Sequence, residues 1–357
     1  MKGRLLSLDV LRGMTVAGMI IVNNAGGRLS YDSLRHSVWN GLTPCDLVFP
    51  FFLFIMGIST YIALRKWDFT PSAPLLRKVA RRTVLILLIG WAIHWLECAW
   101  DGNWLPVDDL RLTGVLTRIA LCYGMASLLA LYVSHRHLPV IAAGLLVGYA
   151  LMLWWGNGYQ TDETNLLGQI DRMLLGAGHL YRKSPIDPEG LVGTLPALAH
   201  TLIGVGCGRI LLRKEETLER RTIRLFVTGF LLLAGGYLLI EAMPLNKRIW
   251  SPTFTLATCG AAALLLATLT YYVDLLGRRD WCRCFEVFGV NPLFLYVLSE
   301  VGAIVVGKTD IKEAIYTQLA ALISNPYLAS AIYSLLFTAV MAAAGYVLYR
   351  KKIYIKI

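Results

Sequence analysis

His36 lies in RHSVWNGLTPCD, a polar stretch between two long apolar runs, with Trp39 and Asn40 just after it and Asp46 ten residues on. An imidazole can take a proton from an attacking amine or hydroxyl and return it to a leaving group. A helix opening behind it would present N–H groups that favour a developing negative charge. The plainer expectation is an interfacial histidine bonded to a loop carbonyl. Asp46 also has two readings. Thr43-Pro44-Cys45-Asp46 fits a capping box, with Thr43 as N-cap, Pro44 at the first helical position and Asp46 reaching back from the third. A cap carboxylate can equally hold the tautomer of a nearby His36. Pro50, one turn further in, is expected to kink the helix. Asn23, with Asn24 and Gly26-Gly27, reads as a helix stop, yet its amide is also a donor suited to a carbonyl oxygen becoming an oxyanion.

Charge or imidazole inside an apolar span is costly, so such residues are functional candidates. Asp9 and Arg12, three apart on one helical face, can pair. Arg118 stands alone in its span and needs a carboxylate, a carbonyl or a bound phosphate. His94 and Glu97 share a face and read as a buried polar pair, since two ligands do not make a metal site. His200 reads as a packed core histidine. Asn291 precedes Pro292 in FGVNPLFLYVLSE, where the proline loosens the helix. The seven cysteines are scattered, most of them in apolar runs, and imply neither a disulfide framework nor a metal; Cys282 and Cys284 form a lone C-x-C. Gly204 and Gly208 in IGVGCGR read as close helix packing rather than a phosphate loop, and such a face permits a homodimer.

The elements that must position these groups follow from composition. The chain is 56% apolar and 16% charged with mean hydropathy +0.57, which excludes an ordinary soluble domain. The expected fold is an all-α polytopic transmembrane bundle, a single domain over 1–357. Ten spans are expected, at about 8–25, 45–64, 83–100, 113–133, 139–156, 191–212, 223–242, 253–274, 287–306 and 328–349. The N-terminus reads as a retained first helix, because Asp9 and Arg12 interrupt its apolar run. Lys and Arg on the side of the termini, Lys2, Arg4 and Lys356 among them, outnumber those on the other side, which include Arg182 and Lys183, by about two to one. Both termini are therefore expected in the cytoplasm, with the loops at about 25–44 and 157–190 outside and membrane lipid around the bundle. The net charge of +11 is then topology signal, with nothing to suggest a nucleic-acid partner. The loop at about 157–190 is long for a compact bundle and rich in sugar-binding residue types. Its Asp187-Pro188-Glu189 reads as the N-cap and first turn of the next helix. No inverted repeat is visible.

The runs SLDVLRGMTVAGMIIVNN, HSVWNGLTPCDLVFPFFLFIMG, DPEGLVGTLPALAHTLIGVGCGRILL, PLNKRIWS and LYRKKIYIKI, in this order from Leu8 to Ile357, closely resemble the heparan-alpha-glucosaminide N-acetyltransferase family, including its bacterial relatives. The resemblance implies a membrane enzyme that takes acetyl from cytosolic acetyl-CoA and delivers it to the amine of a terminal glucosamine on the far side. It also implies, for a bacterial relative, the inner membrane. His36 matches the histidine assigned as catalytic in that family, and Asn23 the asparagine paired with it. Asp46 would then hold the imidazole, Trp39 and Asn40 would meet the sugar, and Asn40 or helix amides would assist Asn23. Arg12, Arg118, Asn291, Lys351 and Lys352 are the candidate acetyl-CoA contacts, since phosphates favour Arg and Lys. Set beside the lysosomal members, the chain is expected to lack their N-terminal luminal region. The competing classes are a transporter of a small polar or sugar substrate and a purely structural membrane subunit.

Overall fold

The computed structural model describes residues 5–181 and 184–355. Lys2, Arg4, Arg182, Lys183 and Lys356, which entered the charge asymmetry, lie outside the described residues. In chain order the helices are α1 (Leu6–Asn23), α2 (Val48–Arg65), α3 (Ala73–Trp100), α4 (Val115–Tyr132), α5 (Leu138–Trp155), α6 (Leu166–Leu175) and α7 (Thr194–Leu211). Then come α8 (Leu218–Leu238), α9 (Pro252–Leu269), α10 (Cys282–Val290), α11 (Pro292–Lys308), α12 (Ile311–Leu322) and α13 (Pro326–Arg350). Among the described residues there is no strand, and nine helices are long and apolar enough to cross a membrane, or ten if one bent pair counts as a span. The protein is an all-α polytopic membrane bundle.

Two expected spans differ instructively. The helix expected from about 83 starts at Ala73, because Arg77, Lys78, Arg81 and Arg82 are good helix formers that prolong it where hydropathy sees only charge. The span expected at about 287–306 is the pair α10 and α11, bent by 80°. The break is Asn291, at φ −127°, ψ 59°. Pro292 has no N–H to donate and forces the residue before it out of the helical region.

The chain divides into two compact units. Among the described residues the first comprises 5–37, 43–52 and 268–355. Val16, Ala17 and Ile20 of α1 pack there with Phe288, Leu295 and Met341 of α10, α11 and α13. A Cβ on Gly13 would stand 1.9 Å from the Phe285 carbonyl oxygen, and one on Gly289 2.2 Å from that of Asp9. Only glycines allow α1 and α10 this approach. The second unit comprises 38–42 and 53–267. Its Gly57 and Gly204 bring α2 and α7 backbone to backbone, so the Gly-rich run of α7 is indeed a packing face. Under its long loop, Tyr149, Leu153, Leu167, Ile186, Val192 and Ile249 form a separate apolar cluster.

Candidate active site

In the first unit a 3₁₀ turn, Pro44–Leu47, runs straight into α2, with Thr43 as its N-cap. Pro50 falls in the first turn of α2, so the expected kink is replaced by the passage from 3₁₀ to α geometry just before it. Asp46 is fully buried in this turn. One carboxylate oxygen, Oδ1, is 2.8 Å from His36 Nδ1. The other, Oδ2, accepts the Ser37 N–H at 3.1 Å and the Thr43 N–H at 3.1 Å. The Thr43 hydroxyl lies 3.0 Å from Oδ2 and 2.8 Å from the Arg35 carbonyl. Asp46 is therefore both the capping acid and the support of the imidazole. A carboxylate can only accept, so the hydrogen bond places a proton on Nδ1 and, in the neutral ring, leaves the lone pair on Nε2. The His36 side chain is 49% exposed while its partner is wholly enclosed. Cys45, buried beneath the ring, brings Sγ to 3.1 Å from Nδ1 and 3.7 Å from Nε2.

Asn23, the last residue of α1, donates to Glu300 of α11 at 3.2 Å. Asn24 turns its amide back to the Ile20 carbonyl at 2.8 Å. Gly26 and Gly27 are not left-handed stops: a Cβ there would meet Tyr333 at 2.6 Å and Tyr316 at 2.4 Å. These glycines are required by close packing of the loop.

The candidate acetyl-CoA contacts of this unit converge. Arg12 pairs with Asp9 at 2.8 Å and reaches the Gly289 carbonyl at 3.4 Å. Asn291, two residues on, donates to the Ile353 carbonyl and accepts the Ile355 N–H, both at 2.9 Å. Its amide thus ties the C-terminal segment to the helix break, beside the exposed Lys351 and Lys352.

The remaining candidates belong to the second unit. Trp39 donates from Nε1 to the Tyr159 carbonyl at 2.9 Å and packs on the apolar cluster under the long loop. Asn40 accepts from the buried Asn246 at 3.1 Å. Arg118 is 1% exposed. It gives its terminal nitrogens to the carbonyls of Pro188 at 2.8 Å and Gly190 at 2.9 Å and stacks over Trp250. Of the three acceptors open to it, it has found carbonyls. His200 is packed edge-on against the same Trp250.

Asp187 does not cap α7, which begins only at Thr194. Its enclosed carboxylate takes Arg111 at 2.7 Å, the Thr113 hydroxyl at 2.5 Å, and the N–H groups of Tyr181 at 2.7 Å and Glu189 at 2.8 Å. Glu189 meets the same guanidinium at 2.8 Å. Burial pushes the Asp187 carboxyl up, but the Arg111 charge and these hydrogen bonds outweigh it and hold the group below its ordinary value. Asp171 of α6 goes the other way. Burial pushes it up to about 6 against the Val192 N–H that it accepts, and the Asp187 charge adds to the rise.

Four residues matter here that sequence reasoning passed over. Glu300 was findable as a carboxylate inside the apolar FLYVLSEVGAIVV run. Asn246 lies in the PLNKRIWS motif. Cys45 and Arg111 gave no signal of their own, because their partners are distant in sequence or belong to an irregular loop. Among the described residues no group of three or more His, Cys, Asp and Glu is placed to hold a metal ion.

The profile of a family described as "Heparan-alpha-glucosaminide N-acetyltransferase, catalytic" matches residues 4–240. The chain is 28% identical to the heparan-alpha-glucosaminide N-acetyltransferase of Homo sapiens and 27% identical to that of Mus musculus. Each match covers 99% of the chain and 60% of the relative. The chain thus spans about three fifths of the length of these relatives.

Proposed function

From the premise that this chain belongs to the heparan-alpha-glucosaminide N-acetyltransferase catalytic family, we propose that it is a transmembrane N-acetyltransferase. On this reading acetyl passes from cytosolic acetyl-CoA to the amine of a glucosamine-type sugar, both termini are cytoplasmic, His36 faces outward, and residues 1–357 serve as one acyltransferase domain in a bacterial inner membrane. The observation that carries it is the pair of a half-exposed imidazole on a fully buried carboxylate.

His36 Nε2 takes the proton of the acceptor amine as the amine nitrogen attacks the thioester carbonyl. The N–C bond forms, the C–S bond breaks, and the imidazolium returns the proton to the leaving thiolate. Asp46 stabilises the imidazolium between these steps and fixes the ring. Asn23 has two amide N–H groups; one holds Glu300, and the second is assigned to the oxyanion. In the two-step variant Nε2 itself carries the acetyl group between donor and acceptor. Arg12, Lys351 and Lys352 fit the anionic end of acetyl-CoA by charge, and Asn291 by holding the segment that follows the two lysines. Trp39 and Asn40 are assigned to the sugar.

The test is transfer of radiolabelled acetyl from acetyl-CoA to glucosamine by the purified protein, wild type beside His36→Ala. The expected loss in the variant is about 10²- to 10⁴-fold with acetyl-CoA binding retained. Wild type that binds no acetyl-CoA would sink the proposal. The break between α10 and α11 is also the kind of interrupted helix found in transporters; sugar flux in vesicles without acetyl-CoA would establish that second reading.

A further inference from the structure

The second unit contains a cavity that the acetyl-transfer reading does not use. Its volume is about 380 Å³, inside the range of roughly 300–1,000 Å³ usual for ligand pockets. Its walls are aliphatic residues of α5, α7, α8 and α9, Leu146, Ile203 and Leu232 among them. Gly206 of α7 forms part of the wall, and a Cβ added there would meet nothing within 4 Å. The other glycines of this run are consumed by packing, whereas this one leaves space.

The mouth is cationic. His135, Arg209 and Arg213 line it. Arg213 is compensated by Glu216 at 3.0 Å, and Glu216 also takes Arg224 at 2.9 Å. Arg209 is exposed and has neither an acidic partner nor a hydrogen bond among the described residues. His135 donates from Nε2 to the Ala130 carbonyl, 3.1 Å away, and packs on Phe69. Burial, and then the neighbouring Arg209 charge, oppose its protonation despite that carbonyl. On either side the helices show bare apolar faces: Val140 and Val147 on α5, Phe226, Phe230 and Leu231 on α8. Such faces belong in hydrocarbon.

We propose that this cavity is a binding site for an anionic phospholipid, one acyl chain lying in the apolar shaft and the phosphate resting on Arg209 at the rim. Charge complementarity selects the lipid: an aliphatic shaft that opens beside lipid-facing surface and ends at an uncompensated guanidinium matches one apolar chain ending in one phosphate. A zwitterionic headgroup would bring a second cation to a rim that already has a surplus. Arginine at the membrane surface contributes about 1 kcal/mol per charge toward anionic lipid.

The experiment is native mass spectrometry of the full chain, delipidated in detergent and titrated with phosphatidylglycerol or phosphatidylcholine of identical chains. One phosphatidylglycerol is expected to remain bound where phosphatidylcholine is lost. Arg209→Glu should weaken that retention at least about fivefold. Gly206→Leu should abolish it by filling the shaft, and its melting temperature checks that it folds. Equal retention of the two lipids, or a phosphatidylglycerol preference untouched by Arg209→Glu, overturns the proposal. Stoichiometric displacement of the lipid by acetyl-CoA also overturns it, since the rim would then serve a nucleotide anion.

Discussion

Asp46 and Asp187 are both enclosed carboxylates that organise a loop, yet they are built for opposite ends. Asp187 is met by a guanidinium that is charged at every accessible pH, and Glu189 and Thr113 complete the cage. That cage contains no imidazole and ties Tyr181 and Glu189 to Arg111 and Thr113, so its part is to hold the loop in shape. Asp46 is met by an imidazole whose ring is half exposed, and the Ser37 and Thr43 N–H groups and the Thr43 hydroxyl also bond its carboxylate. The difference teaches that a buried carboxylate is not itself a mark of catalysis; the titratability and exposure of its partner decide.

Breaking the comparison on its rigid side should give the largest effect. Asp187→Ala leaves Arg111 with Glu189 as its remaining carboxylate in a largely buried site, and is expected to cost about 3–5 kcal/mol of stability, read as a lower melting temperature in detergent. The stabilisation tied to the depressed Asp187 carboxyl is present above the usual carboxylate value and lost as pH falls through the lower folded value.

On the reactive side, Asp46→Asn should reduce acetyl transfer about 10²-fold while the protein stays folded, because the amide keeps an acceptor for the cap but presents a donor to Nδ1 and favours the other tautomer. Nitrogen-15 NMR of the imidazole separates this from simple destabilisation. An unchanged tautomer with lost activity would argue against the positioning role.

Asp171 sharpens the contrast within the long loop. Its carboxyl is raised to about 6, so it contributes most stability below its unfolded value and loses it as pH rises through about 6. Asp171→Asn should therefore melt higher than wild type above pH 7, by up to about 2–3 kcal/mol, and no higher near pH 4. Gly190 must stay: a Cβ there would lie 1.9 Å from Asp171 Oδ2. The smallest effect belongs to Cys45→Ser. If the thiol only supports the ring, transfer changes less than about threefold; a loss near that of His36→Ala would make it a participant.

The helices were largely legible because apolar runs of bilayer length admit one structure, with every backbone group bonded inside its own segment. The capping role of Asp46, the Asp9–Arg12 pair and the packing glycines of α7 were legible for a similar reason, since their partners lie within a turn or across one close helix contact. The Asp187 cage was not, because Arg111 lies 76 positions away and a helix start explains an Asp-Pro-Glu run equally well in sequence. The broken span was legible in part: Asn291-Pro292 marked where the helix loosens, but the 80° bend shows only in space.

Sequence alone determined that this is a bundle of membrane helices of a particular family, with a histidine in a polar loop beside a capping acid. Only the tertiary structure decided that the acid grips the ring through Nδ1, that Asn23 leans on Glu300, and that Arg118 is consumed by carbonyls. Local order follows from dihedral preferences and from the cost of a bare peptide in hydrocarbon, which act within a few residues. Which partner a buried polar side chain satisfies depends on what the folded chain brings within about 3 Å of it, and that no local rule contains.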